Sequence, residues 1–243
     1  MSDEAERLRD RWIERSGDGR LFHINADRTD WTDEAFLESG EVDVAREVDP
    51  WLPRLPRPAA ESTSLDVGCG VGRLSRALAD RFARVEGIDI SPPMVVEAGR
   101  LAPPVPAGIR YQVCTGDGSV PLDDQTVDLA FSFLVFQHLP TVRLVQAYLS
   151  EAARVLVPGG LARVQVNGHR RTWGQRLSVG IEASDKVPLL HRKPRLKVDP
   201  HSTMGVVFSE QGARRLAAGA GLELLELTGV GTQHCWLLLR RPG

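Results

Sequence analysis

The 243-residue sequence has little that would tie it to metals, disulfides, membranes or polyanions. Its three cysteines, Cys69, Cys114 and Cys235, are far apart and odd in number, which predicts neither a metal site nor a disulfide framework. It has 30 basic and 32 acidic residues, a net charge of -2, so no global field draws it to nucleic acid or an anionic membrane. It also has no run of about 20 apolar residues that could span a bilayer. The first residues are charged throughout, unlike a secretory signal, and we expect a cytoplasmic protein.

The first part of the chain, residues 1–61, is predicted to be a helical cap followed by a linker. A charged helix is expected from Glu4 to Arg15, and Thr32 is placed to cap a second helix. Gly40 is expected to interrupt that second helix. Four prolines between residues 50 and 58 then predict an extended linker.

In residues 62–243, apolar strand-like segments alternate with amphipathic helical segments, which predicts an α/β fold with a mostly parallel sheet. The predicted strands are 62–67, 84–89, 109–114, 127–133, 161–166, 222–228 and 235–240. The predicted helices are 73–82, 92–101, 142–156 and 209–220. The segment 167–205 breaks this rhythm and is long for a connection inside a compact domain, so we expect a functional insertion there.

The strongest functional pattern is the segment from Leu65 to Gly72, a short apolar strand followed by three glycines at alternate positions. Gly68, Gly70 and Gly72 let the backbone turn sharply from strand to helix and leave room for a ligand against the main chain. This pattern indicates a nucleotide-type cofactor at the carboxyl edge of a parallel strand.

Three acidic residues narrow the choice of cofactor. Asp66 precedes the first glycine, where a carboxylate would repel a diphosphate but suits a ligand with a cationic end. Asp89 ends the next strand, about 20 residues after the turn, where a carboxylate can accept hydrogen bonds from both ribose hydroxyls. Asp117 follows the third strand and can accept a hydrogen bond from an adenine amino group. Together they indicate adenosine with a positively charged tail.

These motifs resemble those of the class I S-adenosylmethionine-dependent methyltransferases, especially the bacterial small-molecule type. The resemblance is carried by residues 65–72, 87–91, 116–118, 127–140 and 151–160. It implies a seven-stranded Rossmann-like sheet in the order 3-2-1-4-5-7-6, with the last strand antiparallel. The implied cofactor is S-adenosyl-L-methionine. The residues expected to hold it are Asp66, Gly68, Gly70, Gly72, Asp89, Ile90, Met94, Asp117, Gly118 and Phe133, with Ile90 and Met94 against the adenine and the main chain near Phe133 at the methionine amine.

His138 follows the fourth predicted strand and is the candidate catalytic residue. A neutral imidazole near the activated methyl group could accept a proton from a hydroxyl or amine nucleophile. The alternative is structural, since a histidine in this loop can also serve as a local hydrogen-bonding group. Methyl transfer does not require a base, because alignment of nucleophile, methyl group and sulfur supplies most of the acceleration.

The candidate substrate residues lie in the cap, in the loop after the fourth strand and in the insertion. Aromatic side chains of the cap either wall an apolar substrate or dock the cap onto the sheet. The basic run 191–197 either presents cations to an anionic substrate or is a solvated loop. The candidates are Trp12, Phe22, Gln137, Asn167, His169, Arg192 and Arg195.

We therefore expect methyl transfer to an oxygen or nitrogen atom of a small metabolite in secondary metabolism, and the basic run would suit an anionic one. The basic insertion motivates an alternative, in which the same fold catalyses a non-methylating elimination, cyclisation or hydrolysis that releases an anion. A third hypothesis, a non-catalytic partner, predicts a pocket plugged by side chains. No nucleic-acid, membrane or metal partner is expected, and no pattern indicates an oligomeric state.

Overall fold

The computed structural model describes residues 3–17, 30–101, 104–168 and 205–243. A single seven-stranded sheet runs through these residues in the order β3-β2-β1-β4-β5-β7-β6, as the resemblance implied. The strands are β1 (Thr63–Val67), β2 (Arg84–Asp89), β3 (Ile109–Val113), β4 (Val127–Ser132), β5 (Leu156–Val166), β6 (Glu223–Thr228) and β7 (Cys235–Arg240).

Helices cover both faces of the sheet and connect its parallel strands. The helices in the described residues are α1 (Asp3–Arg15), α2 (Asp33–Glu47), α3 (Arg73–Ala79), α4 (Pro92–Ala98), α5 (Val142–Val155) and α6 (Glu210–Gly219). Short 3-10 helices lie at Asp49–Arg54, Ala59–Glu61 and Phe136–His138. In the described part of the chain, none of the helices combines the length and the apolar character needed to cross a bilayer.

The order of the strands reverses direction between β1 and β4. β1 pairs in parallel with β2 on one side and with β4 on the other, so the connections leave toward opposite edges. β7 is antiparallel to both β5 and β6. A sheet of this kind leaves a crevice beyond the carboxyl ends of the two central strands, and ligands bind there.

The core consists of apolar layers on the two faces of the sheet. On one face, side chains such as Leu65 and Val164 pack beneath α5 and α6. On the other face, Leu129 and Phe131 pack beneath α2 and α3. All six residues of β4 are buried, as expected for a central strand covered on both faces.

Helix α2 is continuous through Gly40, so the predicted interruption is wrong. Thr32 does cap this helix, with its Oγ1 accepting a hydrogen bond from the backbone N–H of Ala35 at 3.2 Å. Gly40 is buried against the backbone of Arg73, where α2 and α3 approach closely. The Arg73 guanidinium donates to Asp43 at 2.5 Å, which further ties α2 to α3. Tertiary packing thus outweighs the low helix propensity of glycine.

The proline-rich stretch is not an extended linker as predicted. Residues 49–54 form a 3-10 helix, in which Pro50 occupies one of the first helical positions and Pro53 lies inside. Proline fixes φ near the helical value, and the N–H that it lacks would have no partner at the start of a helix. Proline is therefore compatible with a 3-10 helix as well as with an extended linker. Arg57 then pairs with the fully buried Asp128 at 2.7 Å and fixes this segment to the sheet.

Candidate active site

A cleft that is open to solvent lies at the carboxyl ends of β1 and β4. Its walls come from the turn after β1, the end of β2, the loop after β4, and helices α1, α4 and α5. Most of the lining is apolar. The lining residues are Leu8, Trp12, Val67, Gly68, Gly70, Asp89, Ile90, Met94, Cys114, Phe133, Leu134, Val135, His138, Leu139 and Tyr148.

The three glycines of the turn all adopt left-handed backbone conformations. Their φ angles are 79° at Gly68, 54° at Gly70 and 87° at Gly72, a region that other residues adopt only with strain. The N–H groups of Gly68 and Cys69 donate to the carbonyl of Ile88, at 2.8 and 3.0 Å. Gly68 and Gly70 line the cleft, whereas Gly72 begins α3 and packs against the hydroxyl of Tyr111.

The carboxylate of Asp89 joins the glycine turn to the start of α4. Its Oδ2 accepts from Gly70 N–H at 2.9 Å and its Oδ1 accepts from Ser91 N–H at 2.8 Å. Burial raises the pKa of this carboxyl group, and the two backbone hydrogen bonds oppose that rise. Each oxygen has a second lone pair, and Asp89 lines the cleft, so it can accept two further hydrogen bonds from a ligand.

Asp66 is completely buried beside the turn. Its Oδ2 accepts a hydrogen bond from Ser75 Oγ at 2.6 Å, while its Oδ1 has no hydrogen-bond partner among the described residues. Burial raises the pKa of Asp66 to about 6, although the Ser75 hydrogen bond and the Arg73 charge act in the opposite direction. A buried carboxylate oxygen without a partner is costly in a native protein, and a cationic ligand would relieve that cost.

Asp117 lies in a second cavity, together with Gly116, Ala5 and Arg143. Its Oδ1 accepts from Thr115 Oγ1 at 2.6 Å, Ser119 Oγ at 2.7 Å and Ser119 N–H at 3.1 Å. These bonds lower the pKa of Asp117 to about 2 and fix the carboxylate. Because all three fall on Oδ1, Oδ2 is left to accept a hydrogen bond from a ligand.

The two cavities meet at the contact between Ile90 and Gly116. Ile90 lines the main cleft and its side chain fills the space beside Gly116, which lines the second cavity. Helix α1 crosses both, with Ala5 at the second cavity and Trp12 at the main cleft. These two residues are about 10 Å apart along a helix. A nucleoside with a tail can therefore extend from Asp117 to the glycine turn beneath α1.

His138 lines the main cleft opposite the glycine turn. Its ring lies edge-on to the Trp12 ring, with 5.5 Å between the ring centroids. Its Nε2 lies 3.2 Å from Nε2 of Gln137, a side chain that is itself buried. The imidazole thus lies at an apolar wall, with its Nε2 facing the amide NH2 of Gln137.

Comparison with known proteins shows that the chain is similar to methyltransferases. Residues 65–164 match the model of the "Methyltransferase domain" family. Trans-aconitate 2-methyltransferase of Streptomyces avermitilis is 30% identical over 153 residues, which cover 56% of this chain and 55% of that protein. The ubiquinone biosynthesis O-methyltransferase of Parvibaculum lavamentivorans is 30% identical over 177 residues, which cover 73% of this chain and 65% of that protein.

A solved structure of geranyl diphosphate C-methyltransferase from Streptomyces coelicolor, bound to S-adenosyl-L-homocysteine, superposes with a TM-score of 0.63. It is 16% identical and covers 99% of this chain and 98% of its own, so this likeness concerns the fold. Residues 65–164 therefore match a methyltransferase domain, and the described chain has the fold of the class I S-adenosylmethionine-dependent methyltransferases. It spans about half the length of the first of the curated relatives.

Most residues predicted to hold the superfamily's cofactor, S-adenosylmethionine, surround the main cleft. Those in its wall are Gly68, Gly70, Asp89, Ile90, Met94 and Phe133, and the substrate candidate Trp12 joins them. Asp66 lies behind the turn and Asp117 in the adjoining cavity. Gly118 packs against Ala147 and Tyr148 of α5.

The remaining substrate candidates are not in the wall. Gln137 is buried behind His138, and Asn167 is buried at the end of β5, where its carbonyl accepts from Phe208 N–H at 2.8 Å. The other candidates lie outside the described residues; they are Phe22, His169, Arg192 and Arg195. The basic run 191–197 and most of the predicted insertion lie there too.

Several lining residues were not predicted from the sequence. Leu8 lies one turn before Trp12 on α1, and its helical spacing indicated only an apolar face. Tyr148 is on the buried face of α5, and its pattern is that of an ordinary core residue. Leu134 has a left-handed backbone, with φ of 61°, which no local sequence pattern predicts for leucine. The buried Gln165 behind it was also missed.

Proposed function

We propose that this chain binds S-adenosylmethionine in the paired cavities and catalyses methyl transfer to an oxygen or nitrogen atom of a small molecule. The observation that carries the proposal is the convergence of the glycine turn, Asp89 and His138 on one cleft at the switch point of the sheet. That this reaction belongs to secondary metabolism stays a prediction from the family resemblance.

The described residues fit both the adenosine end and the methionine end of this cofactor. The Asp89 carboxylate would accept hydrogen bonds from the ribose hydroxyls while keeping its bonds to Gly70 and Ser91. Oδ2 of Asp117 would accept from the adenine amino group. The buried and unpartnered Oδ1 of Asp66 supports a cationic tail near the glycine turn. When bound, the cofactor supplies an activated methyl group on a sulfonium.

The wall facing that methyl group supports an acceptor with an apolar or aromatic body. Trp12, Leu139 and Val135 would pack against it and exclude water. His138 would accept the proton that an attacking hydroxyl or amine loses, after its Nε2 exchanges the contact with Gln137 for one with the acceptor. The described part of the wall has no lysine or arginine side chain, and the anionic acceptor predicted from residues 191–197 would depend on contacts outside it.

The test is transfer of a labelled methyl group from S-adenosylmethionine to a panel of acceptors. The panel contains trans-aconitate, the substrate in the name of the Streptomyces avermitilis relative, and catechol and simple amines as model nucleophiles. We expect a product heavier by one methyl group, with one S-adenosylhomocysteine per product. Consumption of an acceptor without gain of a methyl group would favour the non-methylating alternative. Failure to bind S-adenosylhomocysteine in calorimetry would contradict the proposal.

A further inference from the structure

The loop after β4 has a strained residue at the cleft. Leu134 has a φ of 61°, in the left-handed region that a side chain with a Cβ seldom adopts. Leu134 and its neighbours Phe133 and Val135 line the cleft, and the Val135 side chain lies directly against Gly68 of the glycine turn. Strain of this kind persists only where the surrounding structure holds the residue in place.

Gln165 of β5 holds Leu134 in this conformation. Its side chain is fully buried, and its Oε1 accepts the backbone N–H of Leu134 at 3.0 Å. Its Nε2 donates to the carbonyl of Gln233 at 2.7 Å and to Oε1 of Gln137 at 3.2 Å. Both ends of the amide are therefore engaged, which fixes its orientation and leaves the acceptor oxygen facing Leu134.

The Gln165 hydrogen bond also fixes the direction of the preceding carbonyl. In a planar trans peptide, the N–H of one residue and the C=O of the residue before it point in opposite directions. Because Leu134 N–H points toward the Gln165 side chain, the Phe133 carbonyl points away from Gln165, and we infer that it faces the cleft that Phe133 lines.

We propose that Gln165 is a positioning residue that holds the Phe133 carbonyl as an acceptor for the ammonium group of S-adenosylmethionine. This inference rests on the proposed cofactor binding. Gln165 touches neither cofactor nor acceptor and acts through the Phe133–Leu134 peptide.

A second branch of the network leads toward His138. Oε1 of Gln137 accepts from both Gln165, at 3.2 Å, and Gln233, at 3.1 Å, which leaves its Nε2 beside the imidazole. The Gln233 side chain touches only this branch, since its contact with Gln165 is through its main-chain carbonyl. Gln233→Leu therefore separates the two branches.

The test compares two ligands by calorimetry, S-adenosylhomocysteine and 5′-methylthioadenosine. Both carry the adenosine and the thioether, but the second lacks the amine and carboxylate. In Gln165→Leu we expect S-adenosylhomocysteine affinity to fall about 10- to 100-fold, the value of a charged hydrogen bond, with methylthioadenosine affinity nearly unchanged. Gln233→Leu and the matched control Gln112→Leu, at a glutamine of β3 outside the cleft, should change neither affinity.

Equal weakening of both ligands in Gln165→Leu, or weakening of neither, would overturn the inference. Methylthioadenosine binding also reports whether the variant still folds around its site. If Gln165→Leu does not fold, Leu134→Pro is the second test, because proline has no N–H to donate to Gln165 and cannot adopt a positive φ. It should lose S-adenosylhomocysteine selectively, and retained affinity would refute the proposal. If the unaltered protein binds neither ligand, it is the proposed function that fails.

Discussion

The Asp66 carboxylate is fully buried and charged at neutral pH, with a pKa of about 6 that burial raises from an ordinary value of 3.8. A folded-state pKa above the unfolded one means that the native state binds the extra proton. The contribution of Asp66 to stability is therefore fully present below about pH 4 and is lost as the pH rises through about 6. At neutral pH the charged carboxylate destabilises the fold by about 3 kcal/mol.

We accordingly expect Asp66→Asn to raise the free energy of unfolding at pH 7.5 by about 1 to 3 kcal/mol, with the gain vanishing near pH 4. The same variant should bind S-adenosylhomocysteine more weakly, because it lacks the negative charge behind the glycine turn that favours a cationic tail. Urea unfolding at both pH values measures the first effect and calorimetry the second. Asp123→Asn, at an exposed carboxylate, is the control and should change neither. A stability gain independent of pH would contradict this account.

His138 has the alternative roles of proton acceptor and local hydrogen-bonding group. If His138 accepts a proton, it should speed the reaction of a nucleophile that must lose a proton during attack. It should affect the rate little for a nucleophile that is already ionised. We expect His138→Gln to lower kcat by about 100-fold for catechol and by less than about 5-fold for 4-nitrocatechol above the pKa of its acidic hydroxyl. Steady-state kinetics with both acceptors checks this. Equal losses for both would assign His138 a structural role.

The sequence predicts the acidic residues of the site but not the amide network behind it. Asp66 and Asp89 follow local rules, since each occupies a fixed position relative to a glycine turn or a strand end. Gln165 lies in a buried strand, and its partners Leu134, Gln137 and Gln233 are 28 to 68 residues away. The left-handed Leu134 depends on that distant contact, so no pattern within its own segment could have predicted it.

At the scale of elements, the packing of α2 on α3 depends on the absence of a side chain at Gly40. A Cβ there would lie 2.9 Å from the Arg73 carbonyl carbon and closer still to its oxygen. Backbone atoms cannot move aside cheaply, so the two helices would have to separate. The sequence indicated only the low helix propensity of glycine, about 1 kcal/mol, and not the neighbour that requires it.

Gly40→Ala should therefore destabilise the protein by about 2 kcal/mol, in spite of the better helix propensity of alanine. The melting temperature should fall by about 4 to 8 °C for a chain of this length. Gly212→Ala is the matched control, because a Cβ at this position in α6 meets only ordinary contacts, the nearest at 3.5 Å. It should stabilise by about 0.5 to 1 kcal/mol. Calorimetric melting of both variants measures the difference, and a stable Gly40→Ala would contradict the close packing of α2 and α3.

At the scale of the whole molecule, the site lies at one edge of the sheet, and the sequence predicted this edge well. The alternation of strands and helices implies parallel strands, and parallel strands bring every following loop to the same edge. The role of the cap was harder to predict, because the apolar face of α1 fits either a core or a cleft. In the structure it serves both, with Leu8 buried and Trp12 beside His138.

This placement predicts where a bound ligand restrains the chain. A ligand between α1 and the glycine turn contacts both, so these segments gain protection from hydrogen exchange when it binds. With S-adenosylhomocysteine, we expect slower exchange in α1 and in residues 65–72, 88–94 and 133–139. Hydrogen exchange in β6 and β7 should be unchanged at labelling times much shorter than the time for global unfolding. Mass spectrometry of peptides from the exchanged protein measures this, with Asp89→Asn at the same ligand concentration as the control of weakened binding. Protection confined to the β6–β7 edge, or absent from α1, would contradict a binding site beneath that helix.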